Sequence, residues 1–289
     1  TAPPQAEVSV AFAGQRKTTS ADAHGEWSVE LDPMPATLTP QDLVVSSGTV
    51  TLRFENVLVG EVWLAAGQSN MRFTVNQSSN SPHPENYPLL RMNNWEGTVG
   101  AGGGTVYGPA EFANLTPDHF YAGTWQPVDA SNVGGQSAVA YFFANAIARE
   151  LRGTGPGGTD VPVGVMELAY GGTSTEAFIP SSVLLADPYL RASFEDPRGV
   201  RTLGQWTTGR ISKNLTGYTH VDPSSPHPHP FAPGFLYEVG MTHIVPFAFK
   251  GALWYQGESN AEFTTAKYQW NGDRLGDYQT RVMSTLVES

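Results

Sequence analysis

The stretch that most constrains this chain is Gly60-Glu61-Val62-Trp63-Leu64-Ala65-Ala66-Gly67-Gln68-Ser69-Asn70-Met71. Five apolar residues, Val62 to Ala66, stop abruptly at a glycine. Such a run reads as a buried strand entering a tight turn. A serine just past the strand lies at the carboxyl edge of an α/β sheet, where open sheets of this kind bind their ligands. Gly67 lacks the Cβ that would crowd the turn, so the Ser69 hydroxyl can stand clear of it. On these residues alone a second reading is equally good: Ser69 simply caps the segment that follows.

Lys250-Gly251-Ala252-Leu253-Trp254-Tyr255-Gln256-Gly257-Glu258-Ser259-Asn260 repeats the grammar, an apolar strand followed by a polar turn punctuated by glycine. Between the two lies Ala169-Tyr170-Gly171-Gly172-Thr173-Ser174, directly after the apolar run 163–168. A glycine pair there lets backbone N–H groups approach a ligand closely, although a plain strand-to-loop turn would use the same residues. With these three motifs in this order, the chain resembles the sialate O-acetylesterase and acetylxylan-esterase-like branch of the SGNH (GDSL-like) hydrolases over nearly its whole length. The resemblance implies Ser69 as the nucleophile. It also implies an oxyanion hole made by the N–H of Ser69, a glycine N–H from Gly171 or Gly172, and the side-chain amide of Gln256. Gln68, Asn70, Glu258 and Asn260 would support this pocket, with Glu258 orienting Gln256 or a neighbouring loop. The implied substrate is an acetylated carbohydrate, with no metal and no cofactor.

Part of the family's chemistry is not visible. A serine nucleophile needs a base, usually a histidine oriented by a carboxylate. The resemblance places both in an Asp-x-x-His motif well after the Gln-Gly-Glu-Ser-Asn strand. Here no such motif occurs, and no histidine follows His243. Three readings remain open. The base lies on a second chain or on a missing C-terminal segment; or an internal histidine substitutes, among His220, His227, His229 and His243; or the chain is a catalytically incomplete relative that binds glycans or plays a structural part. The His227-Pro228-His229-Pro230 run reads as solvated loop. A metal site on its two histidines lacks a carboxylate cluster at ligand spacing.

Composition narrows the partners. The formal net charge is −11 with only 16 Lys and Arg, which argues against nucleic acid or an anionic membrane as partner. No run reaches the roughly 18 apolar residues of a membrane span. There are no cysteines, hence no disulfide and no thiolate metal site. Sequons at Asn76, Asn114 and Asn214 permit a glycosylated protein, secreted or in a lysosome-like or extracellular setting. With neither an initiator Met nor a signal-peptide pattern, the chain reads as mature, processed or a fragment.

Hydrophobic patterning divides the chain at about residue 57. Residues 1–57 alternate at 8–12, 27–31 and 50–54 with turn formers between, the pattern of short antiparallel strands, and the resemblance makes them a partial β-sandwich. Residues 58–289 read as α/β: an SGNH-hydrolase-like parallel sheet flanked by helices, lacking its C-terminal part. The spacing predicts a helix over 136–151, with an apolar face of Ala138, Phe142 and Ala146 beside Val139, Phe143, Ile147 and Leu151. It is capped by Asn132 or Ser137. Further elements are a strand over 161–168, a helical segment over 236–247, a strand over 250–256 and a helix over 277–288. Region 72–134 shows no clear periodicity and reads as a long loop, functional or disordered. Of its aromatics (Phe73, Tyr87, Trp95, Tyr107, Phe112, Phe120, Tyr121, Trp125), some are candidates to stack on sugar rings and more are ordinary loop anchors.

Overall fold

A computed structural model describes residues 1–94, 96–97, 108–195, 229–245, 247–261 and 275–289. Its first part is a four-stranded antiparallel sheet of β1 (Glu7–Phe12), β2 (Gln15–Ser20), β3 (Thr37–Ser47) and β4 (Val50–Val59), in the order β2-β1-β3-β4. β1 and β2 are joined through Ala13 and Gly14, whose φ angles of 49° and 78° give the twist that a two-residue hairpin needs. The expected strand at 27–31 does not form. That segment is tied to β2 by side chains instead: Asp32 N–H donates to Gln15 Oε1 at 2.8 Å and Gln15 Nε2 donates to the Asp32 carbonyl at 3.1 Å. The strand that does pair there, β2, has a Gln-Arg-Lys-Thr-Thr-Ser sequence with no apolar alternation to betray it. On the far edge, Val50, Leu52 and Phe54 of β4 are each more than half exposed.

Gly60 separates β4 from β5 (Glu61–Gly67), the first strand of the second sheet. The remaining strands are β6 (Leu90–Asn94), β7 (Glu96–Gly97), β8 (Tyr121–Ala122), β9 (Gln126–Pro127), β10 (Val163–Ala169) and β11 (Gly251–Tyr255). β7 and β8 form a small pair of their own. The main sheet runs β11-β5-β10-β6-β9, parallel throughout except for β9 at the edge. The fold is therefore mixed α/β, a mostly parallel sheet flanked by helices with an antiparallel sheet beside it. β6 lies inside the stretch read as a long loop; its Leu-Arg-Met-Asn-Asn is too polar to announce a sheet strand.

Both faces of the parallel sheet are covered. On one, Leu64, Ala66, Met166 and Leu168 pack against Phe120, Phe178, Phe231, Phe235 and Leu236. On the other, Leu90, Met92, Val163 and Val165 meet the helix Ala138–Glu150. That helix buries Ala140, Tyr141, Ala144 and Ala148, whereas Phe142, Phe143 and Ile147 are only half-buried. The face expected from residue size thus gives way to a stripe of alanines, because small side chains let a helix approach a flat sheet closely. Ser137 is its N-cap, accepting the Ala140 N–H at 3.1 Å, a contact worth about 1 kcal/mol. The 236–247 expectation resolves into a π-helical turn, Tyr237–Met241, followed by the short helix Thr242–Ile244. The last helix is Leu275–Glu288.

Candidate active site

The site is built where three parallel strands stop in the same row. Ala169 of β10 and Tyr255 of β11 are both register partners of Gly67, the last residue of β5. The three motifs therefore leave the sheet side by side at its carboxyl edge. Gly67 is obligatory there: a Cβ at this position, with φ at +153°, would fall 2.1 Å from the Tyr255 carbonyl oxygen. The Gly67 carbonyl accepts the Tyr170 N–H at 3.0 Å, and the Gln68 N–H donates to the Tyr255 carbonyl at 3.1 Å, so the turn is bolted to both neighbours.

After Gly67 the chain makes one helical turn, with the Met71 and Arg72 N–H groups donating to the Gln68 carbonyl at 3.0 and 3.2 Å. Met71 is wholly buried and its carbonyl accepts the Ser137 hydroxyl at 2.5 Å, anchoring the turn to the 138–150 helix. Gln68 is buried, and its Oε1 accepts the Ser259 N–H at 3.1 Å. Asn70 Nδ2 donates to Glu258 Oε1. Gln68 and Asn70 thereby tie the Ser69 turn to the third motif from both sides. Ser69 itself is exposed, and among the described residues no hydrogen bond engages its hydroxyl. The backbone N–H groups of Ser69, Gly171 and Gly172 also have no acceptor among the described residues.

Gln256 stands in the wall of the same pocket, held by its neighbours. Its Nε2 donates to the Thr173 carbonyl at 3.2 Å and to Asn260 Oδ1 at 2.8 Å, and its Oε1 accepts the Thr175 hydroxyl. Both amide hydrogens are thus engaged within the pocket wall, where an oxyanion donor would need one of them free. Of the two roles read for it, Glu258 takes the second: it holds Asn70 in the neighbouring Ser69 turn. Behind Gln256 runs a buried network that the sequence reading missed. Asn260 Oδ1 also accepts the Thr175 N–H at 2.9 Å, and its Nδ2 donates to both oxygens of Glu176 at 3.1 and 3.0 Å. The Tyr278 hydroxyl donates to Glu176 Oε1 at 2.8 Å. Glu176 is wholly buried. The available signal was an acid four residues past Gly-Gly inside an otherwise uncharged run, since buried carboxylates persist only where donors meet them.

Of the histidines, His220 and His227 lie outside the described residues, and His243 is exposed. His229 corrects the solvated-loop expectation. It is wholly buried, its Nδ1 accepts the Phe231 N–H at 3.1 Å, and its ring lies tilted against Phe231 with centroids 4.9 Å apart. Its neighbour Pro230 accepts the Thr173 hydroxyl at 2.8 Å, so this segment packs against the Gly-Gly loop. Of the sequons, Asn76 and Asn114 are exposed, while Asn214 lies outside the described residues. Phe120 is a core residue and Tyr87 packs against the core, whereas Phe73 and Trp125 remain partly exposed. Trp95, Tyr107 and the side chains of Phe112 and Tyr121 lie outside the description. Among the described residues no helix is long and apolar enough to cross a membrane.

Fold and site together define an α/β protein with a serine turn at the carboxyl edge of a parallel sheet. No model of a known protein family matches the chain. It is 26% identical over 263 residues to the sialate O-acetylesterase of Homo sapiens, covering 88% of this chain and 42% of that protein. With the Mus musculus sialate O-acetylesterase it shares 27% over 269 residues, covering 88% and 46%. A crystal structure of a carbohydrate acetylesterase from Xanthomonas citri superimposes with a TM-score of 0.59 at 26% identity, covering 90% of this chain and 47% of that one. These likenesses support a sialate O-acetylesterase-like, carbohydrate-esterase family for the chain. It spans less than half the length of the relatives it matches.

Proposed function

We propose that the chain carries the serine centre of a carbohydrate O-acetylesterase. The observation that supports this reading best is the common ending of β5, β10 and β11, which brings the Ser69 turn and the Gly171-Gly172 loop out at one sheet edge, the serine hydroxyl and both glycine N–H groups having no partner among the described residues. Ser69 Oγ attacks the acetyl carbonyl and its proton passes to a base. The tetrahedral oxyanion forms facing the N–H groups of Ser69 and of Gly171 or Gly172; a single such donor is worth about 3 kcal/mol in barrier height. Collapse breaks the bond to the sugar oxygen, which leaves protonated as the free hydroxyl. Water then attacks the acetyl-serine, releasing acetate and restoring Ser69. Gln256, Asn260 and Glu176 act from behind as a brace that fixes the Gly-Gly-Thr loop.

In this proposal the base belongs to an Asp-x-x-His segment outside the 289 residues or on a second chain. The substrate class is an acetyl ester on sialic acid or on an acetylated polysaccharide. A secreted or lysosome-like setting with glycans on Asn76 and Asn114 belongs to the same proposal; a mass shift on glycosidase treatment of material from a secretory host checks it.

Acetate release from acetylated sugars, by this chain and by a longer parent chain, each beside Ser69→Ala, tests the function. Release that depends on Ser69 in the longer chain supports the reading. Such release from the 289 residues alone would move the base to an internal histidine. A folded parent chain that binds sugars but frees no acetate would overturn the esterase reading in favour of a glycan-binding relative.

A further inference from the structure

The helix at 275–288 reaches the serine centre from behind. Tyr278, Val282 and Leu286 recur every four residues and so lie along one side of it. Tyr278 and Val282 pack with Ile179, Leu184 and Leu190 in a small apolar cluster that Leu286 joins from its rim. The ring of Tyr278 is thereby held in place. Its hydroxyl is delivered inward, where it donates to Glu176 Oε1 at 2.8 Å.

Glu176 is wholly buried. Among the described residues no cation pairs with it, and its side chain is met only by the Tyr278 hydroxyl and by Asn260 Nδ2, which donates to both oxygens at 3.1 and 3.0 Å. A buried carboxyl group satisfied so sparsely depends on each donor. Its acceptors also decide which way round Asn260 stands. With Nδ2 on Glu176, Asn260 Oδ1 faces the other way and accepts the Thr175 N–H at 2.9 Å and Gln256 Nε2 at 2.8 Å. Gln256 Nε2 donates in turn to the Thr173 carbonyl at 3.2 Å. Reversing the Asn260 amide would set acceptor against acceptor at Glu176 and donor against donor at Gln256, so the relay runs one way.

Thr173 ends the turn that carries the glycine pair. Its N–H donates to the Tyr170 carbonyl at 3.4 Å across Gly171 and Gly172, and Gly172 takes the positive φ of 82° that favours glycine in such turns. The near end of the turn is fixed independently, by the Tyr170 N–H on the Gly67 carbonyl at 3.0 Å. The far end rests on the relay, through the Thr173 carbonyl, and on the Thr173 hydroxyl, which donates to the Pro230 carbonyl at 2.8 Å.

We propose that Tyr278 is a positioning residue of the serine centre: the docked 275–288 helix, acting through Glu176, Asn260 and Gln256, sets the direction in which Gly171 and Gly172 present their N–H groups. What those groups do rests on the esterase reading; how they are held does not.

Tyr278→Phe removes the hydroxyl and keeps the ring. Hydrogen exchange on the 289-residue chain, resolved by residue with NMR, should then quicken at least tenfold at the Thr173 and Thr175 N–H groups and stay within twofold at Tyr170. Arg281→Met cuts the other tether of the same helix, to Asp187, and should leave Thr173 and Thr175 within twofold. In the longer parent chain, Tyr278→Phe should lower kcat for Ser69-dependent acetate release at least tenfold with KM within twofold, because the glycine N–H groups meet their acceptor in the transition state. Exchange at Thr173 and Thr175 untouched by Tyr278→Phe, equal acceleration in Arg281→Met, or an unchanged kcat would each overturn the proposal. A parent chain that frees no acetate, or frees it equally in Ser69→Ala, would count against the esterase reading instead, and the exchange comparison would still decide the relay.

Discussion

At the scale of single residues, Gly67 and Gln256 carry the sharpest consequences. A methyl group at position 67 would meet the Tyr255 carbonyl at 2.1 Å, and that atom is backbone in a neighbouring strand, with no side-chain freedom to yield. Gly67→Ala should therefore destabilise the protein by about 3 kcal/mol, as backbone-incompatible substitutions do, read from the midpoint of a urea titration. An unchanged midpoint would mean that the strands do not end together. Gln256→Ala removes two donors and leaves the Thr173 carbonyl short of its partner. If the side chain is a brace, the loss should appear in stability, by about 1–2 kcal/mol, together with turnover. A drop of a hundredfold or more in turnover at unchanged stability would return Gln256 to the oxyanion hole. The residues read from sequence as the site were those with motif spacing. Glu176 offered one local signal, an acid in an uncharged run, but its partners were illegible because Asn260 comes 84 positions after it, a juxtaposition made only by the fold.

At the scale of elements, β5, β10 and the 138–150 helix were legible because each buries an apolar run or stripe, and β11 because its sequence is apolar throughout even though its side chains are only partly covered. β2 and β6 were not: β2 is polar and half-exposed along its whole length, and β6 buries Leu90 and Met92 but interrupts them with Arg91 and follows them with two asparagines. The helix at 275–288 is joined to the 181–195 segment through Arg281, whose Nε donates to Asp187 Oδ2 at 2.6 Å. Partial burial pushes the Asp187 carboxyl up. The Arg281 hydrogen bond and charge and the Tyr189 and Leu190 N–H groups outweigh that and hold it below the ordinary aspartate range. A carboxylate depressed in the folded state contributes stability above its unfolded pKa and loses it as pH falls through the folded one. Stability should therefore decline below about pH 4, and Asp187→Asn should flatten that part of the curve while lowering stability at neutral pH. Melting temperatures across pH 3–7 check this; identical pH profiles would detach Asp187 from the helix.

At the scale of the whole molecule, the two sheets differ in how they treat their outer surfaces. The parallel sheet is covered on both faces, whereas β4 is a ten-residue edge strand with Val50, Leu52 and Phe54 turned to solvent. Exposed apolar edges of this length template self-pairing. Replacing Val50 and Leu52 by Thr and Lys should reduce self-association with a change in stability under about 0.5 kcal/mol, measured by sedimentation over a concentration series; unaltered association would exonerate the edge. The alternation at 50–54 showed that a strand was there, but alternation cannot say whether its apolar face finds cover. The common ending of the three parallel strands has a kinetic side as well. The contacts that hold the Ser69 turn to the third motif join residues 188 and 191 positions apart, among the most distant pairings a chain of 289 residues can make. Loops of that length close late, after local structure has formed. A nascent or partly refolded chain would hold most of its helices and its first sheet before the serine pocket exists, so the pocket becomes the last feature to appear and the earliest sign that the entire strand order has been reached.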